Sequence, residues 1–246
     1  MENKEYAESL DTILKQIKNE KNPDSLKALL EKFKKHLSGI SPDIRGDGPD
    51  FSRLPGDGTE GELWFRNKMV WLKTIPLGKG EAFIELHPEA SGYYHEKKGK
   101  ISADILGIWR NEKTTRFAVV ELKAGANGDR VFYAIAEGLR NVYLLWQERK
   151  KLSILWEECN KKYVKDEKIQ NSVWRGCNPF NNLDNKNISL LVIGDDSWSQ
   201  KQNYVNNVPR EIKLNNVNVK IAIYSLNKGG KPRSRPHALL PLKKIL

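Results

Sequence analysis

Apolar residues recur at helical spacing near the start of the chain, in two sets that the turn-forming segment Asn22-Pro23-Asp24 separates. Within each set every member has another three or four residues away, which places them on one face of a helix. We therefore predict a helical hairpin over residues 1–40. The first set is Leu10, Ile13, Leu14 and Ile17, and the second is Leu26, Leu29, Leu30, Phe33 and Leu37.

A segment rich in proline, glycine and aspartate, residues 41–58, follows the predicted hairpin and is typical of a connector. Its aspartates lack EF-hand spacing, so solvated turns are favoured over a calcium loop. A further helix is predicted to begin at Thr59, because Thr59-Glu60-Gly61-Glu62 has the form of a capping box and apolar residues follow at helical spacing. Residues 59–246 are taken as the main domain.

Short apolar runs alternate with helical patterns in the rest of the chain, which predicts a mixed α/β fold. One long helix is predicted from about Asp129 to Gln147 and another from Lys150 to Lys161. A stretch rich in lysine and asparagine follows, with few structural signals. The predicted strands are Ala82 to Leu86, Ser102 to Trp109, Arg116 to Lys123, Ile188 to Ile193 and Val219 to Leu226.

The chain is strongly basic, with a formal net charge of +11 and a pI near 9.5. This favours a polyanionic partner through phosphate contacts, although many basic proteins carry only solvated lysines.

No apolar run approaches the roughly 18 residues of a membrane span, and the charged start does not resemble a signal peptide. A cytoplasmic location without membrane attachment is expected. Cys159 and Cys177 form no CxxC pair, which argues against structural zinc.

Charged residues interrupt two of the predicted strands where the pattern is otherwise apolar. One strand ends in Glu121-Leu122-Lys123, and Asp104 lies inside the preceding strand. Because side chains alternate along a strand, Glu121 and Lys123 share one face. Buried charges persist when they are paired or bind a metal, and pairing the two strands as a hairpin would bring Asp104 close to Glu121.

This combination of two carboxylates and a lysine suits phosphodiester hydrolysis. Two carboxylates can hold Mg²⁺ or Mn²⁺, which stabilises charge on the scissile phosphate and lowers the pKa of a bound water. A nearby lysine can orient that water or stabilise negative charge in the transition state. The alternative is a solvated Glu121–Lys123 ion pair at a sheet edge, which contributes little to stability.

On these residues the sequence resembles the PD-(D/E)XK nuclease superfamily over about residues 59–195. The match consists of Asp104, the Glu121-Leu122-Lys123 triplet and the helix from Asp129, while Ala103 stands where the family has proline. The resemblance implies an α/β fold with a restriction-endonuclease-like αβββαβ core, a mixed central sheet flanked by helices, beside the N-terminal helical hairpin. It also implies that the chain is a metal-dependent DNA endonuclease that acts in restriction, repair or defence.

The resemblance also implies roles for individual residues. An acid on the first core helix, Glu62 or else Glu60, would join the catalytic set, and a capping role for Glu62 is an equal alternative. The implied core of the site is Asp104 and Glu121 as metal ligands, Leu122 through its backbone carbonyl, and Lys123 beside the nucleophile.

Candidate nucleic-acid contacts fall into two groups. The alternative for the group on the long helix is a surface or packing role, and the alternative for the group in the tail is a solvated terminus. DNA is the expected partner, with RNA an alternative, and a homodimer through the N-terminal helices is a further expectation. A non-catalytic nucleic-acid-binding protein that retains the fold is the alternative function. The two groups are Arg130, Tyr133 and Arg140 on the long helix, and Lys231, Arg233 and Arg235 in the basic C-terminal tail.

Overall fold

A computed structural model describes residues 2–42, 74–94, 99–123, 131–163, 178–194, 205–226 and 242–244. Within these ranges the chain forms four α-helices and eight β-strands. The helices are α1 (Glu2–Asn19), α2 (Pro23–Ser38), α3 (Val131–Gln147) and α4 (Arg149–Tyr163). The strands are β1 (Thr74–Gly78), β2 (Glu81–Tyr94), β3 (Gly99–Arg110), β4 (Thr115–Lys123), β5 (Asn187–Gly194), β6 (Glu211–Leu214), β7 (Val217–Leu226) and β8 (Leu242–Lys244).

The strands form one mixed sheet in the order β1-β2-β3-β4-β5-β7-β6, with β8 also paired to β7. The β1–β2, β2–β3 and β3–β4 pairs are antiparallel, and the β4–β5 and β5–β7 pairs are parallel. The parallel step from β4 to β5 is made through α3 and α4, because parallel neighbours need a long crossover connection. The predicted α/β class with a mixed sheet is therefore confirmed.

The predicted helical hairpin is also confirmed, and it packs against α3. The side chain of Asn22 caps α2 by accepting hydrogen bonds from the backbone N–H groups of Asp24 and Ser25, with Pro23 in the first turn. The buried faces of α1 and α2 belong to the same apolar cluster as α3 and one face of the sheet. The hairpin thus completes the core on the helical side of the sheet.

The two faces of the sheet bury separate apolar clusters, and β4 contributes to both. Phe117 and Val119 belong to the cluster on the helical side, and Ala118, Val120 and Leu122 belong to the cluster on the opposite side. A strand that is buried on both faces reads as a continuous apolar run. This explains the sequence Phe-Ala-Val-Val in the middle of β4.

The strand predictions need two corrections. β2 was predicted from Ala82 to Leu86 but continues to Tyr94, with a register shift between Glu85 and His87. The short strands β1, β6 and β8 were not predicted at all. The predictions for β3, β4, β5 and β7 and for the helix after α3 differ from the observed bounds by three residues or fewer.

Several predicted features lie outside the described residues. They include most of the 41–58 connector, the helix predicted from Thr59, the start of the long helix before Val131 and most of the basic tail. None of the helices that the structure does describe combines the length and the apolar character needed to cross a bilayer.

Candidate active site

The two predicted metal-binding acids lie where the ladder between β3 and β4 ends. Its last pair is Ile105 opposite Val120. In the same register Asp104 comes next on β3 and Glu121 next on β4. At this point a side chain replaces the backbone partner, because the N–H of Leu122 donates a hydrogen bond to Oδ2 of Asp104 over 2.7 Å. The end of the ladder therefore places the two acids opposite each other.

Glu121 is buried, with 2% of its side chain exposed. Its Oε1 accepts a hydrogen bond from Nζ of Lys123 over 2.6 Å, and its Oε2 accepts one from Nδ2 of Asn141 over 3.2 Å. Burial raises the pKa of Glu121 well above its usual value, and the neighbouring charges of Asp104 and Glu137 raise it further. The positive charge of Lys123 acts in the opposite direction without cancelling these effects.

Lys123 lies between two carboxylates. Besides Glu121, its Nζ lies 3.1 Å from Oε2 of Glu137 on α3. Burial alone would lower the pKa of Lys123, but Glu121 and Glu137 together raise it above its usual value. The pKa of Glu137 is lowered, because Lys123 and Arg140 outweigh the effect of burial. Oε1 of Glu137 also lies 3.6 Å from Nη2 of Arg140 and accepts a 3.4 Å hydrogen bond from Tyr133.

Asn141 joins α3 to both site strands. It is fully buried. Its Nδ2 donates to the backbone carbonyl of Ser102 on β3 over 2.8 Å as well as to Glu121 on β4. Its Oδ1 accepts from the backbone N–H of Ser102 over 3.3 Å and from Nε of Arg140 over 3.2 Å.

A glycine lets α3 approach the sheet beside the site. A Cβ atom at Gly138 would lie 2.5 Å from Cδ1 of Leu190 on β5 and 3.3 Å from Cβ of Glu121. The first distance is shorter than any ordinary carbon contact. Gly138 therefore sets the close approach that brings Glu137 and Asn141 to the end of β4.

The structure brings some of the predicted site residues together. Tyr133 and Arg140, predicted as nucleic-acid contacts, lie beside Glu137, and the guanidinium of Arg140 is largely buried. Their contact with a nucleic acid stays a prediction. Asp104, Glu121, Leu122 and Lys123 meet where the β3–β4 ladder ends, whereas Glu60, Glu62, Arg130, Lys231, Arg233 and Arg235 lie outside the described residues.

Sequence reasoning missed Glu137 and Asn141. The long helix that carries them is buried over most of its surface, including the polar residues Arg140 and Asn141. A polar residue inside a helix that is apolar on nearly all sides needs a partner, because an unpaired buried polar group is costly. That signal was present in the sequence at Glu137, Arg140 and Asn141.

The donor atoms at this point suit a hard cation. Mg²⁺ prefers oxygen ligands and is commonly held by one or two carboxylates while it keeps several waters. Asp104 and Glu121 supply two carboxylates whose mutual repulsion a cation would relieve. Within the ranges that the structure covers, no group of three or more His, Cys, Asp or Glu side chains is arranged to hold a metal ion. The fit therefore rests on this pair.

Comparisons with protein-family models, with curated proteins and with solved structures found no match for this chain.

Proposed function

We propose that this chain is a metal-dependent nuclease of the PD-(D/E)XK type, with Asp104, Glu121 and Lys123 as its catalytic core. The observation that carries the proposal is the position of Asp104 opposite Glu121 at the end of the β3–β4 ladder, with Lys123 in contact with Glu121. Two acids that can hold a metal ion and a lysine beside them can supply the chemistry of phosphodiester hydrolysis.

In this proposal the carboxylates hold the metal and the lysine acts on the nucleophile or the phosphate. Asp104 and Glu121 would bind Mg²⁺ or Mn²⁺, together with the backbone carbonyl of Leu122. When bound, the metal supplies Lewis-acid stabilisation of the phosphate and a water of lowered pKa. Because the pKa of Lys123 is raised, its ammonium stays protonated at neutral pH. Lys123 thus donates a hydrogen bond to the attacking water or to a phosphate oxygen.

A nucleic acid is the substrate class that the charge of the chain supports. The net charge of +11 favours a polyanion, and phosphate contacts by lysine and arginine supply sequence-independent affinity. DNA is the proposed substrate on the resemblance to the nuclease superfamily. The restriction-endonuclease-like arrangement of the sheet and helices is part of the same proposal.

The test is cleavage of supercoiled plasmid, linear duplex, single-stranded DNA and RNA in the presence of Mg²⁺ or Mn²⁺, with a chelator as the blank. We expect Glu121→Gln to reduce cleavage to the chelator level and Lys123→Met to reduce the rate about 10²- to 10³-fold, as for loss of one transition-state donor. The matched controls are Glu211→Gln and Lys213→Met on β6, both exposed, which should leave the rate unchanged. Full activity of Glu121→Gln would refute the site.

One observation favours a second candidate, a non-catalytic nucleic-acid-binding protein with the same fold. Both oxygens of Glu121 already have partners, Lys123 and Asn141, so the cluster can also act as a buried structural network. Such a protein would bind DNA with an affinity that falls steeply with salt. It would show no turnover with either metal on any of the substrates.

A further inference from the structure

We propose that Asn141 is a positioning residue of the candidate site: its amide takes the place of a strand partner beyond the end of the β3–β4 ladder and holds Glu121 opposite Asp104. This inference rests on the proposed nuclease function. It adds a residue of α3 to a site that was predicted from two strands, and it assigns that residue a role in metal binding.

The first part of the argument is the ladder itself. Continued past its last pair, the β3–β4 register would place Ser102 opposite Lys123. Both backbone groups of Ser102 are bound instead by the side chain of Asn141, over 3.3 Å for the N–H and 2.8 Å for the carbonyl. An Asn side-chain amide presents the same donor and acceptor as a peptide group. Asn141 therefore caps this part of β3 without requiring β4 to pair there.

The second part is the orientation of the amide. The neighbours of Oδ1 are two groups that can only donate, Nε of Arg140 and the N–H of Ser102. A flipped amide would point its NH₂ group at both donors and its oxygen at the Ser102 carbonyl and Glu121. Only the orientation described satisfies all four contacts, so Arg140 and Ser102 together direct Nδ2 at Oε2 of Glu121.

The third part is what this contact does for the acids. The hydrogen bond from Asn141 limits rotation of the Glu121 carboxylate, and the bonds to Ser102 hold β3 two residues from Asp104. One fully buried side chain thus constrains both proposed metal ligands. Partners that orient metal ligands in this way typically change metal affinity or activity about 10- to 100-fold when they are removed.

The experiment measures Mn²⁺ binding to the substrate-free protein by titration calorimetry, and then the kinetics of DNA cleavage. For Asn141→Ala we expect Mn²⁺ affinity and kcat each to fall about 10- to 100-fold, with little change in KM for DNA. Asn141→Ser, which keeps a small hydroxyl in the buried space, is the second variant in case the first does not fold, and the same losses are expected. An Asn141 variant that is folded and keeps wild-type Mn²⁺ affinity and kcat would overturn the inference.

The matched control is Tyr143→Phe. The Tyr143 hydroxyl accepts a 2.7 Å hydrogen bond from Asn215, so this variant also removes a tertiary bond of α3 but leaves the site untouched. A merely structural role for Asn141 predicts that both variants lose stability and that both keep wild-type Mn²⁺ affinity. If the wild type neither binds Mn²⁺ nor cleaves DNA, the proposed function itself fails. Wild-type binding and cleavage with an unaffected Asn141 variant would overturn only the positioning role.

Discussion

The two ends of the β3–β4 pair differ in what holds them together. From Arg110 opposite Thr115 to Ile105 opposite Val120, the strands are joined by a regular backbone ladder. One residue further the ladder stops, and the contacts are made by the side chains of Asp104 and by residues of α3. The same two strands therefore have an apolar, backbone-paired end and a charged end held by side chains.

If the proposed function is correct, this difference separates stability from chemistry within one hairpin. The paired end buries apolar side chains on both faces, and burial contributes about 25 cal/mol per Å² of apolar surface. At the other end Glu121 is removed from water, which disfavours its charged form. Buried charged networks are weak evidence for stability. We infer that the apolar end contributes most of the stability of the pair, and the proposed function would place its chemistry at the charged end.

The largest expected effect is at the apolar end, in Phe117→Ala. Phe117 is fully buried and its ring packs against Trp146 and Phe180, with centroids 5.8 and 6.4 Å away. Loss of this side chain should lower the free energy of unfolding by about 3–5 kcal/mol through lost burial and a residual cavity. Urea unfolding measures the loss, with Thr115→Ala at the less buried start of β4 as the control.

The same variant tests whether the two ends act separately. At a temperature where Phe117→Ala is still folded, its cleavage rate per folded molecule should stay within a few-fold of wild type. A loss of activity as large as that of Glu121→Gln would contradict the separation, because it would show that the apolar end also governs the geometry of the acids.

A smaller effect is expected from Gly138→Ala, which acts on the charged end through α3. Alanine favours a helix over glycine by up to about 1 kcal/mol, but its Cβ would lie 2.5 Å from Leu190 in a packed core. Overpacking of this kind costs about 1–3 kcal/mol, so we expect a net destabilisation of about 1 kcal/mol and slower cleavage. In a double-mutant cycle, Leu190→Ala should relieve the clash. The double variant should therefore lose less unfolding free energy than the sum of the losses of the two single variants. Stabilisation by Gly138→Ala would contradict the close approach.

The fold was predictable where strands are long and apolar. β3, β4, β5 and β7 gave clear patterns because each is buried over most of its length. The later half of β2 contains Pro88 and Gly92, which argue against a strand in a single sequence. Among the described strands, β1 pairs with β2 only as far as Ile84, so at Pro88 the strand β2 has β3 as its one described neighbour. A proline is tolerated on such an edge because its missing N–H can face away from the neighbouring strand. β6 and β8, with four and three residues, are too short to show a period.

The site was predictable only in part, for a related reason. Asp104, Glu121 and Lys123 stood out because they are charges inside apolar strands. Asn141 did not, because its role depends on where α3 packs against the sheet, and helical spacing alone does not reveal which strand a helix residue meets. The clue was a buried polar residue in a largely apolar helix, and its partner Ser102 lies 39 residues away in the chain.

The last expected effect is the pH dependence of stability in a chelator, compared between wild type and Glu121→Gln. The folded-state pKa of Glu121 is raised above its usual 4.5. Between pH 4.5 and that raised pKa, only the folded state holds the proton, so wild-type stability falls as pH rises through this window. The glutamine variant lacks this loss. We therefore expect Glu121→Gln to gain stability relative to wild type between pH 5 and pH 8, measured by urea unfolding.

Neither Glu137 nor His36 reverses this sign. The pKa of Glu137 is lowered, so its own contribution changes below pH 4.5, outside the range compared. His36 has a lowered pKa as well, but it is present in both proteins and cancels in the difference. Added Mg²⁺ should favour the ionised carboxylate and reduce the wild-type loss at pH 8, with no effect on the variant. A difference that stays flat with pH would show that Lys123 keeps Glu121 ionised, which would make the charged end a stable ion pair even without metal.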